Sequence, residues 1–194
     1  MIGFLFPSSR PNKRVSAGKL LLCLGLVTGC RSAYTLRTEL GPGSSERTFP
    51  RRLGVFPLEV GDADLGRTFS ELLAMEFLSH GYQVVERTRF ESLVAEQNYA
   101  ASKLFDPDYS VRLGKLVGAD TIVLGSIQQL DAYGFGGHWK VIGTVTLRLV
   151  DTETGRTIAI SRLTRNSDFA TEDLGEIAER ICSDVQSKLV HMRS

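Results

Sequence analysis

Few residues of this 194-residue sequence have the type and spacing that chemistry requires. A metal site needs ligands at close, regular intervals, and the three histidines, His80, His138 and His191, stand far apart without such a pattern. Asp62 and Asp64 could form a carboxylate pair for acid–base work. Their position just before an apolar helical stripe equally suits a turn and a helix N-cap, which is the reading adopted. No Gly-x-Ser-x-Gly elbow and no Walker loop occurs. The run Gly134-Phe135-Gly136-Gly137 reads as a loop that neither follows a strand nor opens a helix, so it does not fit a dinucleotide fingerprint. The inventory points away from an enzyme: no catalytic residue, cofactor or metal ligand is assigned. What remains is Cys30, a thiol preceded by Leu26-Val27-Thr28-Gly29, whose small neighbours leave room for a reaction at sulfur.

The residues before Cys30 say what that reaction is. Arg10, Lys13, Arg14 and Lys19 precede the apolar run Leu20 to Val27, which ends in small residues, the order of an export signal. The run is about half as long as a helix crossing a hydrocarbon core about 30 Å thick must be, so it predicts a removed segment and no permanent span. Leu26 to Cys30 resembles the bacterial lipobox, which implies thioether diacylglycerol and an acylated amino group on Cys30 as the mature first residue. Two or three acyl chains, at about 0.8 kcal/mol per buried methylene, make attachment effectively permanent. Arg31 stands where an Asp would favour inner-membrane retention, so the analogy favours the periplasmic face of the outer membrane.

Loss of residues 1–29 removes four cations and no acid, turning the formal charge of +1 into −3. With 23 Lys and Arg against 22 Asp and Glu overall, the chain offers no basic field for a nucleic-acid backbone. The composition, 42% apolar and 23% charged, is that of a globular protein with room for one ordinary domain. Of the three cysteines, Cys23 leaves with the signal and Cys30 is acylated. Cys182 then has no partner for a disulfide.

The elements that must carry these residues follow from periodicity. Residues 30–51, rich in Ser, Gly, Pro, Thr and charge, read as the acylated Cys and a flexible tether reaching about 25 Å; an ordered strand at Thr35 to Leu40 is the competing reading. The domain is expected over 52–194. It starts with a strand at Arg52 to Leu58, a helix at about Asp64 to Ser79 and a strand at Tyr82 to Glu86. Thr88-Arg89-Phe90-Glu91 reads as a capping box opening a helix that buries Phe90, Leu93 and Val94. Asp106-Pro107 opens a third helix that Gly118 ends, and the nearly all-apolar Thr121 to Ile127 predicts a central strand. After a Gly-rich loop at Tyr133 to His138, residues 141–150 alternate as a half-buried strand, and Asp151-Thr152-Glu153-Thr154-Gly155 turns into a second arm at Thr157 to Leu163. A last helix, opened by Thr171-Glu172-Asp173, carries the stripe Leu174, Ile177, Ala178, Ile181, Cys182, Val185, Leu189 and Met192. The expected fold is α/β (α+β): one three-layer-like domain whose mixed sheet has the order β-α-β-α-α-β-β-β-α, with the helices packed on it.

Several stretches, in this order, resemble the CsgG-type family, best known from the curli secretion pore. They are Gly54 to Leu58, Gly81 to Arg87 running into Phe90-Glu91 and Glu96-Gln97, Leu113 to Asp120 leading to Gly125-Ser126-Ile127, and Arg148 to Gly155. The resemblance implies a periplasmic domain, often lipid-anchored, that binds other proteins or oligomerises. The connections between Gln97 and Asp106 and between Gln129 and Trp139 are too short for the roughly 20 residues that two barrel strands need, so the pore-forming hairpins are absent from this reading. The smaller relatives, lipoproteins that activate peptidoglycan synthases or serve flagellar assembly, look closer in architecture.

A contact surface is the remaining candidate. Tyr133, Phe135, His138 and Trp139, in and beside the Gly-rich loop, could form an aromatic patch, because such rings bury large area at small entropic cost. Trp139 packed at the rim of the sheet is the equal alternative. The expected function is therefore a scaffold or recruiter of other envelope proteins, in secretion or appendage assembly or in activating a cell-wall synthase, attached to the membrane by lipid and open to homo-oligomerisation. A subunit of an oligomeric outer-membrane secretion channel of the curli type is the alternative.

Overall fold

The computed structural model describes residues 34–42, 50–85, 107–134, 137–166 and 173–191, all within the compact unit Ala33–Ser194. The export signal, Cys30, the capping box at Thr88 to Glu91 with its helix, Asp106, Phe135 and Met192 lie outside the described residues.

In chain order the strands are β1 (Tyr34–Leu40), β2 (Arg52–Val55), β3 (Gln83–Val84), β4 (Thr121–Gly134), β5 (Gly137–Asp151) and β6 (Thr157–Arg165). The helices are α1 (Ala63–Ser79), α2 (Pro107–Val117) and α3 (Leu174–His191). The six strands make one sheet in the order β1-β6-β5-β4-β2-β3, with β2 parallel to both β3 and β4 and the other ladders antiparallel. The parallel half is the product of helical crossovers and the antiparallel half of hairpins, which is the mixed α+β arrangement expected.

Each helix boundary has a local cause. Asp62 caps α1, its Oδ1 accepting from the amides of Asp64 at 3.0 Å and Leu65 at 3.2 Å. Past the other end Gly81 takes φ +87, and the Tyr82 amide reaches the Phe77 carbonyl, a reversal that only a residue without Cβ makes cheaply. Gly118, at φ +74, ends α2 in the same manner, and Asp173 caps α3 through the amides of Gly175 and Glu176.

The core lies in two parts because successive strand residues point to opposite faces. On one face α1 and α3 bury Phe69, Leu73, Phe77, Ile177, Ile181, Cys182, Val185 and Leu189 against Leu53, Val123, Val145, Leu147, Leu149 and Leu163. On the other face α2 packs Tyr109, Leu113 and Val117 over Phe56, Ile122 and Val150. Gly114 permits that approach, since a Cβ there would lie 2.6 Å from Ile122 Cγ2 and 2.7 Å from Thr152 Cγ2. Among the described residues the third layer therefore covers only the parallel end of the sheet. Over β5, β6 and β1 no described element covers the same face, which carries Arg148, Ile160, Arg162, Thr35, Arg37 and Glu39 in exposed positions.

Two expectations are corrected. The segment read as tether holds β1, which pairs along its full length with β6, so the competing reading of an ordered strand at Thr35 to Leu40 stands, with its start at Tyr34. The cause is alternation that composition obscured: Tyr34, Leu36 and Leu40 pack on the core and Thr38 joins them buried, its hydroxyl donating to Ser161 Oγ at 2.9 Å. The Gly-rich stretch at Tyr133 to His138 is likewise not a long loop. β4 runs on to Gly134 and β5 begins at Gly137, leaving two residues for the turn.

A candidate protein-contact surface

The β4–β5 hairpin outgrows its sheet. Among the described residues β6 pairs with β5 only from Thr144 to Val150, so β4 from Gln129 and β5 before Gly143 pair with each other beyond the β6 ladder and form a two-stranded arm. A bulge at its root, where Gln128 faces Thr144 but Gln129 faces Ile142, leaves Gly143 over. Leu130 folds across this glycine, whose Cβ would meet Leu130 Cγ at 2.4 Å. Ile142 stays in the core, 2% exposed, and holds the base of the arm down, while Leu130 is 46% exposed and opposite Val141.

Farther out, the ladder sets Tyr133 opposite His138 and Ala132 opposite Trp139, so three of the four aromatic-patch residues share one ribbon tip; the fourth, Phe135, lies outside the described residues. His138 Nε2 and Asp131 Oδ1 are 2.9 Å apart across the strands, both about half exposed, and Lys140 beside them is exposed. A two-stranded ribbon without further support is marginal in water, and an added surface lowers the cost of ordering it. The arrangement is that of a contact surface.

The other candidates resolve into structure. Asp62 and Asp64 do not converge: one caps α1, and the other meets Arg67 Nη2 at 2.7 Å. His80 ends α1 with Nδ1 2.8 Å from the Glu76 carbonyl, and His191 ends α3. Among the described residues no three His, Cys, Asp or Glu gather as a metal site would require. Cys182 is a fully buried thiol whose proton is held far above the ordinary thiol range, by burial first and then by the Glu76 charge. Neighbouring Tyr82 is raised too, again chiefly by burial. The motif residues are likewise consumed locally. Asp120 Oδ2 accepts from the amides of Arg51 and Arg52, both at 3.0 Å, Thr152 Oγ1 donates to the carbonyls of Ala119 and Asp120, and Asp151 Oδ1 accepts from Thr154.

Among the described residues, an open mixed sheet with two helices on one face, one on the other and a protruding hairpin defines a class of α+β domain. Residues 54–138, from β2 to the start of β5, match the family of the curli production assembly/transport component CsgG, so the resemblance read from the sequence holds over that stretch. Among solved structures, the PelC dodecamer from Paraburkholderia phytofirmans superposes with a TM-score of 0.50 at 16% identity, over 80% of this chain and 96% of that one. The lipoprotein GNA1162 from Neisseria meningitidis gives 0.49 at 18% identity, over 73% and 99%. The LpoB C-terminal domain from Salmonella enterica gives 0.45 at 13% identity, over 62% and 86%. At 16% identity the PelC likeness establishes fold alone. No curated protein matches the chain.

The structure thus unites Tyr133, His138 and Trp139 on one arm. Sequence reasoning missed the arm itself and the face with Arg37, Arg148 and Arg162. The signal was present in Tyr34 to Leu40, where polar and apolar residues alternate.

Proposed function

We propose that the chain is a lipid-anchored periplasmic protein of the outer membrane, without enzymatic activity, that works by holding other envelope proteins through the β4–β5 arm. The observation that carries this reading is the CsgG match over residues 54–138, joined to the lipobox-like Leu26 to Cys30 before it. Anchoring confines the domain to the volume beside the leaflet, where an effective millimolar concentration makes weak contacts count. With β1 starting at Tyr34, three residues lie between the acylated position and the first described strand, so the tether is short. A curli-type channel subunit has less support. The part of the arm beyond the β6 ladder, Gln129–Gly134 with Gly137–Ile142, is roughly six residues to a strand against the 9–11 that a bilayer requires. No described helix is long and apolar enough to cross a membrane, which leaves strand-spanning aside.

Labelled palmitate tests the anchor: wild type incorporates it and floats with outer membranes, and Cys30→Ala does neither. Equal fractionation of the two would overturn the reading. Photocrosslinking from position 133 or 139 in intact envelopes then captures a discrete adduct that Leu130→Asp weakens; a capture pattern identical to that from a probe at Glu179 on α3 would remove the arm from the account.

A further inference from the structure

β1 is the last strand at its end of the sheet, and its one ladder partner among the described residues is β6. The Gly41 amide donates to the Ile158 carbonyl at 2.7 Å. In an antiparallel ladder the hydrogen-bonded positions alternate, so residues 37, 39 and 41 turn their backbone groups toward β6, and Leu36, Thr38 and Leu40 turn theirs to the open edge. Natural edges are commonly blunted by charge, and two like charges here would keep a second copy away. Arg37 and Glu39, with side chains 78% and 64% exposed, have opposite signs instead.

The five residues Leu36-Arg37-Thr38-Glu39-Leu40 are symmetric about Thr38 in side-chain class and antisymmetric in charge. An antiparallel copy related by a two-fold axis through Thr38 therefore sets Thr38 on Thr38, each Leu36 on the other Leu40, and each Arg37 on the other Glu39. The outward amides and carbonyls of residues 36, 38 and 40 fall into the hydrogen-bonded positions. The two Arg–Glu pairs fall into the closer ones, with Cα atoms about 4.5 Å apart. An interface between identical partners must be complementary to itself, and this edge is. We propose that β1 is a self-recognition edge through which two copies of the chain join their sheets antiparallel over residues 36–40. The inference stands apart from the lipid anchor and from the arm.

Full-length chains carrying Arg37→Cys and Glu39→Cys, reconstituted separately and together in phosphatidylethanolamine–phosphatidylglycerol vesicles, test the register. Oxidation of the mixture gives a covalent dimer in at least tenfold excess over either variant alone, because only the mixture places position 37 opposite 39. In sedimentation of the detergent-solubilised full chain, Arg37→Glu and Glu39→Arg each weaken self-association about tenfold or more, since symmetry counts each repulsion twice, and the double exchange restores it. A mixture that crosslinks no better than its components, or association indifferent to the single reversals, would overturn the proposal.

Discussion

At the scale of single residues, most of the polar groups that invite a chemical reading are occupied in holding the backbone. Asp62→Ala is expected to cost about 1 kcal/mol in chemical unfolding, the value of an N-cap, with crosslinking through the arm unchanged. Thr38→Ala removes a buried donor and strands the Ser161 hydroxyl, for a loss of about 1–2 kcal/mol. Cys182 gives a pH signature. Its folded pKa lies above its unfolded one, so the neutral thiol contributes stability that is complete below about pH 9 and declines as pH rises beyond it; Tyr82 adds to the decline from about pH 10. Urea midpoints between pH 8 and 11 should fall more steeply for wild type than for Cys182→Ala.

At the scale of elements, legibility tracked periodicity. The stripe of α3 is visible in Ile177, Ile181, Val185 and Leu189, and the caps of α1 and α2 in Gly81 and Gly118, because helix faces and positive-φ reversals each demand few residue types. The extent of β4 and β5 was not visible. Glycine marks loops in general, and here Gly134 and Gly137 flank a tight turn while Gly143 yields its place to Leu130. β1 was legible only as the competing reading at Thr35 to Leu40, because its inward Thr38 breaks the apolar alternation until Ser161, more than a hundred residues on, supplies the partner. Gly143→Val tests the arm's root: it must displace Leu130, and about 1–3 kcal/mol of stability should go with it, read as an earlier thermal transition. The tip residues Tyr133, His138 and Trp139 were readable by type, but not the arm that presents them.

At the scale of the whole molecule, the sheet is unequally clothed among the described residues: α1 and α3 shield one side, while α2 shelters the other only above β4 and β2. Arg37 stands opposite Arg162 on the unsheltered floor, with Arg148 opposite Ile160 one row along. Arg37 is itself held by Glu39, its Nε donating to Oε1 at 2.7 Å, so this floor carries an ion pair beside the Arg148 and Arg162 charges. Such a floor is wet and charged, so whatever rests on it will come and go with ionic strength, whereas a grip on the half-exposed Leu130 of the arm will depend on it less. Rinsing an assembled complex with rising sodium chloride would strip the first kind of companion and leave the second.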